Sequence, residues 1–389
     1  MSTTTLSPSS PVSSGEMPVL DTARAEEVGR RHAAINEFLR SAGFDGLLIQ
    51  DPTNYAWLTC GGDNSRRGNA AEPVAAILVT PEARVVLCNN VDSGQIFDRD
   101  LMGLGFLLKE RPWTEDLTVL RLDVCRGRKI VSDRPFLGIE QGLADLRPLR
   151  QQLGSREVQQ LRDLGREVAH AIEATARNFE AGATEAEIAG HLAHRLLKRQ
   201  IQPASLQVMA DAQGWRYRHW AYGTDRVERH CVISAIGRRH GLHAGATRTV
   251  CIGAPSDELQ KVHRLATLVQ ATGIYFSQPG WTMEETWKRV ARIYEKFDVP
   301  DEWRCAEQAE IIGYSPSEMP VLPHSQQPFQ AGTAVFWHPS VRSSLVGDTV
   351  LVAEGGCEIL TPSQNWPVIS VKVKGATVER PSLLIREMV

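Results

Sequence analysis

The sequence predicts an α+β core, with two helical layers against a sheet, preceded by a separate α/β domain. Three observations carry that prediction. At 389 residues the chain exceeds what one hydrophobic core ordinarily organises. Its apolar residues switch repeatedly between helical spacing and short β-like runs. A helix, a glycine break, a threonine-capped helix and a set of strands then occur twice in succession in the C-terminal part.

Residues 1–20 are rich in Ser, Thr and Pro and predict a disordered arm. From Asp21 to Ser41 apolar residues recur at helical spacing, and Asp45-Gly46 turns the chain into the strand-like GLLIQ. VAAILVT, RVVLC and KIVSD add strands, giving an α/β domain over 21–154. From Ser155 the amphipathic stretch REVQQLRDLGREVAHAIEATARNFEAG predicts a long helix stopped at Gly182. Thr184 and Glu187 open the next helix as a capping box, each side chain satisfying a backbone N–H at the other's end. DELQKVHRLATLVQATGIYFSQ, the Pro279-Gly280 break and TMEETWKRVARIYEKF repeat that order. Strands follow each pair: RHCVISAIGRRHGLHAGATRTVCIG after the first, and TAVFWHPS, DTVLVAEGGCEILTP and VISVKV after the second. The pattern reads either as two similar halves of one domain, 155–389, or as two helical hairpins that merely look alike.

Composition narrows the function classes. A formal charge of -3 and a pI near 6.4 supply no basic field, which argues against nucleic acid and anionic membrane as partners. The seven cysteines are scattered with no C-x-x-C spacing, so neither a disulfide framework nor a zinc knuckle is expected. The first residues lack the basic and apolar regions of a secretory signal, and no run of about 18 apolar residues occurs. A cytoplasmic protein is the expectation. The sequence also lacks a G-x-S-x-G elbow, a phosphate-binding loop and a nucleotide fingerprint.

Taken in order, GATEAEI, the GL…TRTV stretch, IIGYSPSEMP, FWHPS and GDTVLVAEGGCEILT resemble the pita-bread fold of the creatinase and Xaa-Pro peptidase superfamily. The corresponding segments there are a G-x-T-E helix start, an Asp…Asp-x-T-R-T strand pair, a G-H-x-x-G…E-x-P segment, an E-P strand end and an E-D-T-V-L-V-T-E-x-G strand ending in L-T. The resemblance covers 155–389, and 21–150 is more weakly similar to the creatinase-type N-terminal domain through DPTNYAWLTCGG. It implies a pita-bread domain of two pseudo-symmetric halves. It also implies a homodimer in which Asn54, Tyr55 and Arg66 reach over the partner subunit's cavity.

Peptidases of this superfamily hold two divalent ions with two Asp, one His and two Glu, because bridging carboxylates keep two cations close and activate a shared water. Aligned on Gly241, Thr247-Arg248-Thr249, Gly313, Glu318, Pro320, Pro339 and Asp348, those positions become Ser234, Gly245, Glu310, His338 and Gly347. Only Glu310 and His338 keep a metal-capable side chain, so the resemblance implies a member with neither the dinuclear metal site nor another cofactor. A single ion recruited by Glu310, His338 and another histidine is the alternative.

Creatinase, a metal-free member, hydrolyses a C–N bond with a histidine just before the first-Asp strand, and His230 corresponds to it. An imidazole suits that work because it accepts and donates a proton near neutrality; otherwise His230 only satisfies a carbonyl at a strand start. Glu310 and His338 form a second constellation, either chemical or merely polar lining. Glu318, the glutamate of E-x-P, either shapes the cavity floor near the reacting group or is a structural carboxylate. His243, His324, His219, Trp220, Tyr222 and Arg248 complete the candidate substrate contacts, with Trp215 and Tyr217 extending the aromatic wall. Arg248 reads first as a tie between strand and carboxylates.

These residues and the resemblance imply a metal-independent enzyme acting on an amide or amidine-like C–N bond of a small molecule. The step would be hydrolysis or a related cyclisation, lyase or condensation reaction. Two alternatives stand beside it: a pseudoenzyme acting as a binding module, and an Xaa-Pro-type peptidase with a non-standard metal site.

Overall fold

The computed structural model describes residues 21–65, 73–136, 143–211 and 216–387. The predicted arm over 1–20, Arg66 and Trp215 lie outside them. The chain divides into two compact units, Met1–Leu149 and Arg150–Val389.

In the first unit, α1 (Thr22–Ala42) begins where the Asp21 carboxylate accepts the Arg24 N–H, and ends at Gly43 in the left-handed conformation (φ +70°). A mixed five-stranded sheet follows, in the order β4 (Leu107–Arg111), β3 (Arg84–Asn89), β2 (Ala75–Val79), β1 (Gly46–Ile49) and β5 (Ile130–Ser132). Leu48, Ala76, Leu78 and Leu87 form its core with Leu120 and Val124 of α3 (Leu117–Cys125). Asn54 and Tyr55 lie on α2 (Pro52–Leu58) and are buried inside this unit, where Asn54 donates to Asp133 at 2.9 Å. Their expected reach over a partner's cavity is therefore corrected: both side chains are committed to their own unit's interior.

The second unit is built on a nine-stranded sheet. Its order is β10 (Met319–Pro320), β9 (Ala309–Ile312), β11 (Ala334–Trp337), β14 (Gly347–Ala353), β8 (Leu242–Ile252), β7 (His230–Arg239) and β6 (Gln202–Ala210). Off that path, β15 (Gly356–Ile359) pairs with β14 and β18 (Leu384–Arg386) with β8. The repeated helical pairs appear as α4 (Ser155–Asn178) with α5 (Glu185–Lys198), and α6 (Asp257–Phe276) with α7 (Met283–Lys296). Thr184 and Glu187 close a reciprocal capping box, and Thr282 and Glu285 close a second at the matching place.

Alternation along the strands gives the sheet two chemically different faces. Towards the helices point Trp337, packed with Val262, Val269 and Val290, and the fully buried Arg248. Its guanidinium donates to Glu173 (3.2 Å), Asp348 (2.9 Å) and the carbonyls of Thr247, Gly347 and Thr361. Asp348 is held in turn by Thr361, Gln270 and Arg380. A buried cation matched this fully is structural, so Arg248 is corrected from candidate substrate contact to the tie between strands and helices.

Candidate active site

The face away from Arg248 gathers the positions at which the resemblance implies metal ligands. Ser234 lies opposite Thr247, and Ile236 opposite Gly245. Thr247 also faces Gly347, while Phe336 lies opposite both Thr349 and Glu310. Directly opposed residues share a face, as do alternate residues along a strand. Ser234, Gly245, Glu310 and Gly347 therefore project to one side, and His338, just past β11, stacks there on Phe336 at 4.7 Å with 27° between ring planes.

Phe336 decides what this site can hold. A Cβ placed on Gly245 would sit 2.9–3.0 Å from three atoms of its ring. One on Gly347 would sit 2.5 Å from the Thr247 hydroxyl and 3.1 Å from the same ring. Contacts this short between a Cβ and a buried ring are not tolerated without movement. The volume that carboxylates would need at two of the expected ligand positions is thus filled by an aromatic ring and a hydroxyl. Ser234 Oγ is engaged with Thr247 Oγ1 at 2.8 Å, and Thr349 Oγ1 both accepts from Gly245 N–H and donates to Gly245 C=O at 2.8 Å. Among the described residues no three His, Cys, Asp or Glu side chains group as a metal cage. A dinuclear metal pair does not fit this donor set, whose hydroxyls, glycines and phenyl ring replace the bridging carboxylates.

What the site retains is an imidazole and a carboxylate. His338 Nε2 is buried with no hydrogen-bond partner among the described residues, 3.8 Å from Glu310 Oε2. Burial holds the His338 pKa down to about 4, against the opposing charge of Glu307. Burial shifts Glu310 upward from its ordinary value; a Ser317 hydrogen bond opposes this, and the charge of Glu307 adds to it. Near neutrality this leaves a neutral ring facing a carboxylate whose hold on a proton burial strengthens. His219 stands edge-on to His338 at 6.3 Å and bonds Glu307 through Nε2 at 3.0 Å. Glu307 was not anticipated, since nothing in CAEQAEII marks it out until the strand register is known.

His219 reaches this place on a loop that a single buried carboxylate organises. Glu185, in the first turn of α5, accepts from Ala210 N–H (2.7 Å), Trp220 Nε1 (2.8 Å) and Gly223 N–H (2.6 Å). Trp220 stacks on Tyr217 at 5.1 Å and packs with Met209, Val232 and Leu345, so it belongs to the wall of the site. Tyr222 is exposed. Sequence reasoning missed Glu185 although the quoted G-x-T-E motif contains it.

The other candidates separate from that cluster. His230, at the start of β7, has its backbone N–H on Asp211 Oδ1 (3.1 Å) and its Nδ1 3.8 Å from the same oxygen, while Nε2 is buried with no partner among the described residues. Burial lowers its pKa and Asp211 partly restores it. Register places it on the Ser234 face, and its charged partner there is Asp211, a residue the sequence did not single out. His243 shares the face but is pinned by Nδ1 to the Gly313 carbonyl at 3.1 Å, and burial takes it to about 4. Both oxygens of Glu318 are taken by Arg150, and one also by the Ser315 N–H, which is the environment of a structural carboxylate. His324 is exposed where its charge acts on Glu284 at the start of α7, so the cavity role expected of it is corrected.

Comparison with known proteins agrees with this architecture. The model of metallopeptidase family M24 matches residues 159–359. An uncharacterised peptidase of Staphylococcus haemolyticus is 21% identical over 84% of this chain and 97% of its own length. An uncharacterised hydrolase/peptidase of Sinorhizobium fredii is 28% identical, over 34% of this chain and 35% of its own length. Among solved structures, a prolidase from Pyrococcus horikoshii superposes with a TM-score of 0.74 at 16% identity, covering 87% of this chain and 99% of its own. The N-terminal domain of the FACT subunit SPT16 from chickpea superposes at 0.68 and 12% identity, covering 88% and 97%. At these identities the superpositions establish the fold. No helix among the described residues is long and apolar enough to cross a membrane.

Proposed function

The chain belongs to metallopeptidase family M24, and from that premise we propose that it is a hydrolase of the family that works without the metal pair. In this reading it cleaves an amide or amidine-like C–N bond of a small molecule by proton transfer through Glu310 and His338. The observation that carries the proposal is the Phe336 ring lying where Gly245 and Gly347 would need carboxylates, beside an imidazole and a carboxylate that survive.

The chemistry follows from the two environments. The Glu310 carboxylate, a better base for its raised pKa, takes a proton from water as the water oxygen attacks the carbon, and the carboxyl so formed passes that proton to the departing nitrogen. Water thus supplies oxygen to carbon and hydrogen to nitrogen. His338 offers its unpartnered Nε2 to hold the substrate N–H or relay the proton. His230, backed by Asp211, is a second acid-base group on the same face. Glu318 and Arg150 keep β9 and its neighbours in place and take no part in the reaction.

Elemental analysis of protein purified without chelator tests the first claim, and two stoichiometric divalent ions per chain defeat it. Release of amine or ammonia from a panel of small amides and amidines tests the second. Turnover abolished by Glu310→Gln supports it, and turnover that survives this change at full kcat removes Glu310 from the mechanism. A second reading is favoured by the same ring: Phe336 is 4% and His338 7% exposed, which suits a filled, non-catalytic cavity in a binding module. It predicts no turnover of any panel member.

A further inference from the structure

A separate cleft lies on the helical side of the second unit. It encloses about 950 Å³ between α6, the segment after α7 and β16 (Val368–Val373), within the roughly 300–1,000 Å³ of small-molecule sites. Leu265, Leu268, Ile369 and Val371 give it apolar walls, and Phe297 stands 44% exposed at its margin. Around these lie Lys261 and Arg264 from α6 and Lys372 from β16, all exposed and none in an ion pair among the described residues. Arg342 also lines the cleft but is spent on Glu258. Against these cations stand two acids, Asp257 and Asp298.

Apolar walls bordered by unpaired cations are complementary to one kind of small ligand: a hydrophobic chain or ring carrying a single negative group. We propose that this cleft binds an amphipathic carboxylate, with its apolar part against Leu268 and Val371 and its carboxylate among Lys261, Arg264 and Lys372. Every lining residue belongs to the second unit and none is a candidate catalytic residue, so the site is independent of the reaction proposed above.

The probe is decanoate, titrated by calorimetry below its aggregation concentration into the full-length protein at low salt, with decyltrimethylammonium and 1-decanol as controls. One saturable site is expected for decanoate, weakened about tenfold or more in Lys261→Gln/Lys372→Gln, which removes two of the three cations. Val371→Trp, which fills the cleft, is expected to abolish binding. Both changes are at partly or fully exposed positions, and circular dichroism checks that each variant is folded. Absence of saturable binding overturns the proposal. So does equal affinity for the ammonium analogue, or decanoate binding that is unchanged in the double-glutamine variant.

Discussion

Replacing Gly245 by alanine adds one methyl group against the Phe336 ring, and the structure specifies what that costs. The new Cβ would lie 2.9–3.0 Å from three ring atoms, and the ring has little freedom because it is itself stacked on His338. Overpacking of this kind costs about 1–3 kcal/mol. Phe336→Ala alone should cost about 3–5 kcal/mol through lost burial and the cavity left behind. The informative quantity is the coupling. In Gly245→Ala/Phe336→Ala the methyl meets no ring, so the double variant should be more stable than the sum of the singles predicts, by about 1–3 kcal/mol. Chemical denaturation followed through the transition of the 150–389 unit measures it. Each kcal/mol corresponds to roughly 2–4 °C in the thermal midpoint of a unit this size. Additive losses within about 0.5 kcal/mol would show that the ring does not occupy the space facing Gly245 and that a carboxylate could fit there.

Arg248→Ala should destabilise the second unit by about 3–5 kcal/mol, because Glu173 and Asp348 are left buried without their shared cation; equilibrium unfolding tests this, and a loss below 1 kcal/mol contradicts it. Glu185→Gln replaces by an NH2 donor one of the two carboxylate oxygens that together accept from three N–H groups. It should speed limited tryptic cleavage at Arg216, Arg218 or Arg226 and shift Trp220 fluorescence, whereas an unchanged digestion pattern would mean the loop is held by other contacts. For pH the sign is set by histidines whose folded pKa is depressed: His338, His243 and His263 fall to about 4. Between about 6.5 and 4 the unfolded chain therefore binds more protons than the folded one. Stability of the second unit should fall as pH falls through that window. His243→Gln should flatten the dependence, and a stability profile rising towards pH 4 would contradict these assignments.

How much of this was legible in the sequence depends on which face of the sheet a residue occupies. The Thr247-Arg248-Thr249 and Asp348-Thr349 anchors could be aligned because Arg248 and Asp348 meet on the helix side, in a network whose partners are fixed by packing. The capping boxes at Thr184 and Thr282 are local, so three-residue spacing was enough to find them. His338 and Glu310 were found by their offsets from Pro339 and Gly313. Phe336, Glu307 and Asp211 were not, since their importance arises from cross-strand register and loop closure, which no local spacing encodes. His324 failed for the converse reason: proximity in sequence to a site strand does not carry a side chain around the sheet.

Strand alternation also lets one face of this sheet change while the other keeps the fold. Gly347 and Asp348 are neighbours, yet one faces the Phe336 ring and the other Arg248 and Arg380. A change at the first alters the Phe336 side at little cost to the helix-side network, while a change at the second removes a buried counter-ion. Gly245 stands in the same relation to Arg248 three residues on. In the metal-independent reading proposed above, Glu310 on β9 and His338 after β11 follow the same logic, supplying one anion and one proton acceptor beside the Phe336 ring. If Gly245→Asp and Gly347→Glu were introduced together with Phe336→Ala, Ser234→Asp and the Glu310/His338 exchange reversed, the second unit should bind divalent cations, as read by calorimetry and by a metal-dependent rise in its thermal midpoint. With Phe336 kept, the same substitutions should yield a destabilised unit that does not respond to the metal. Equal metal responses with and without the ring would show that the donor set alone, and not the aromatic plug, governs what this face can hold.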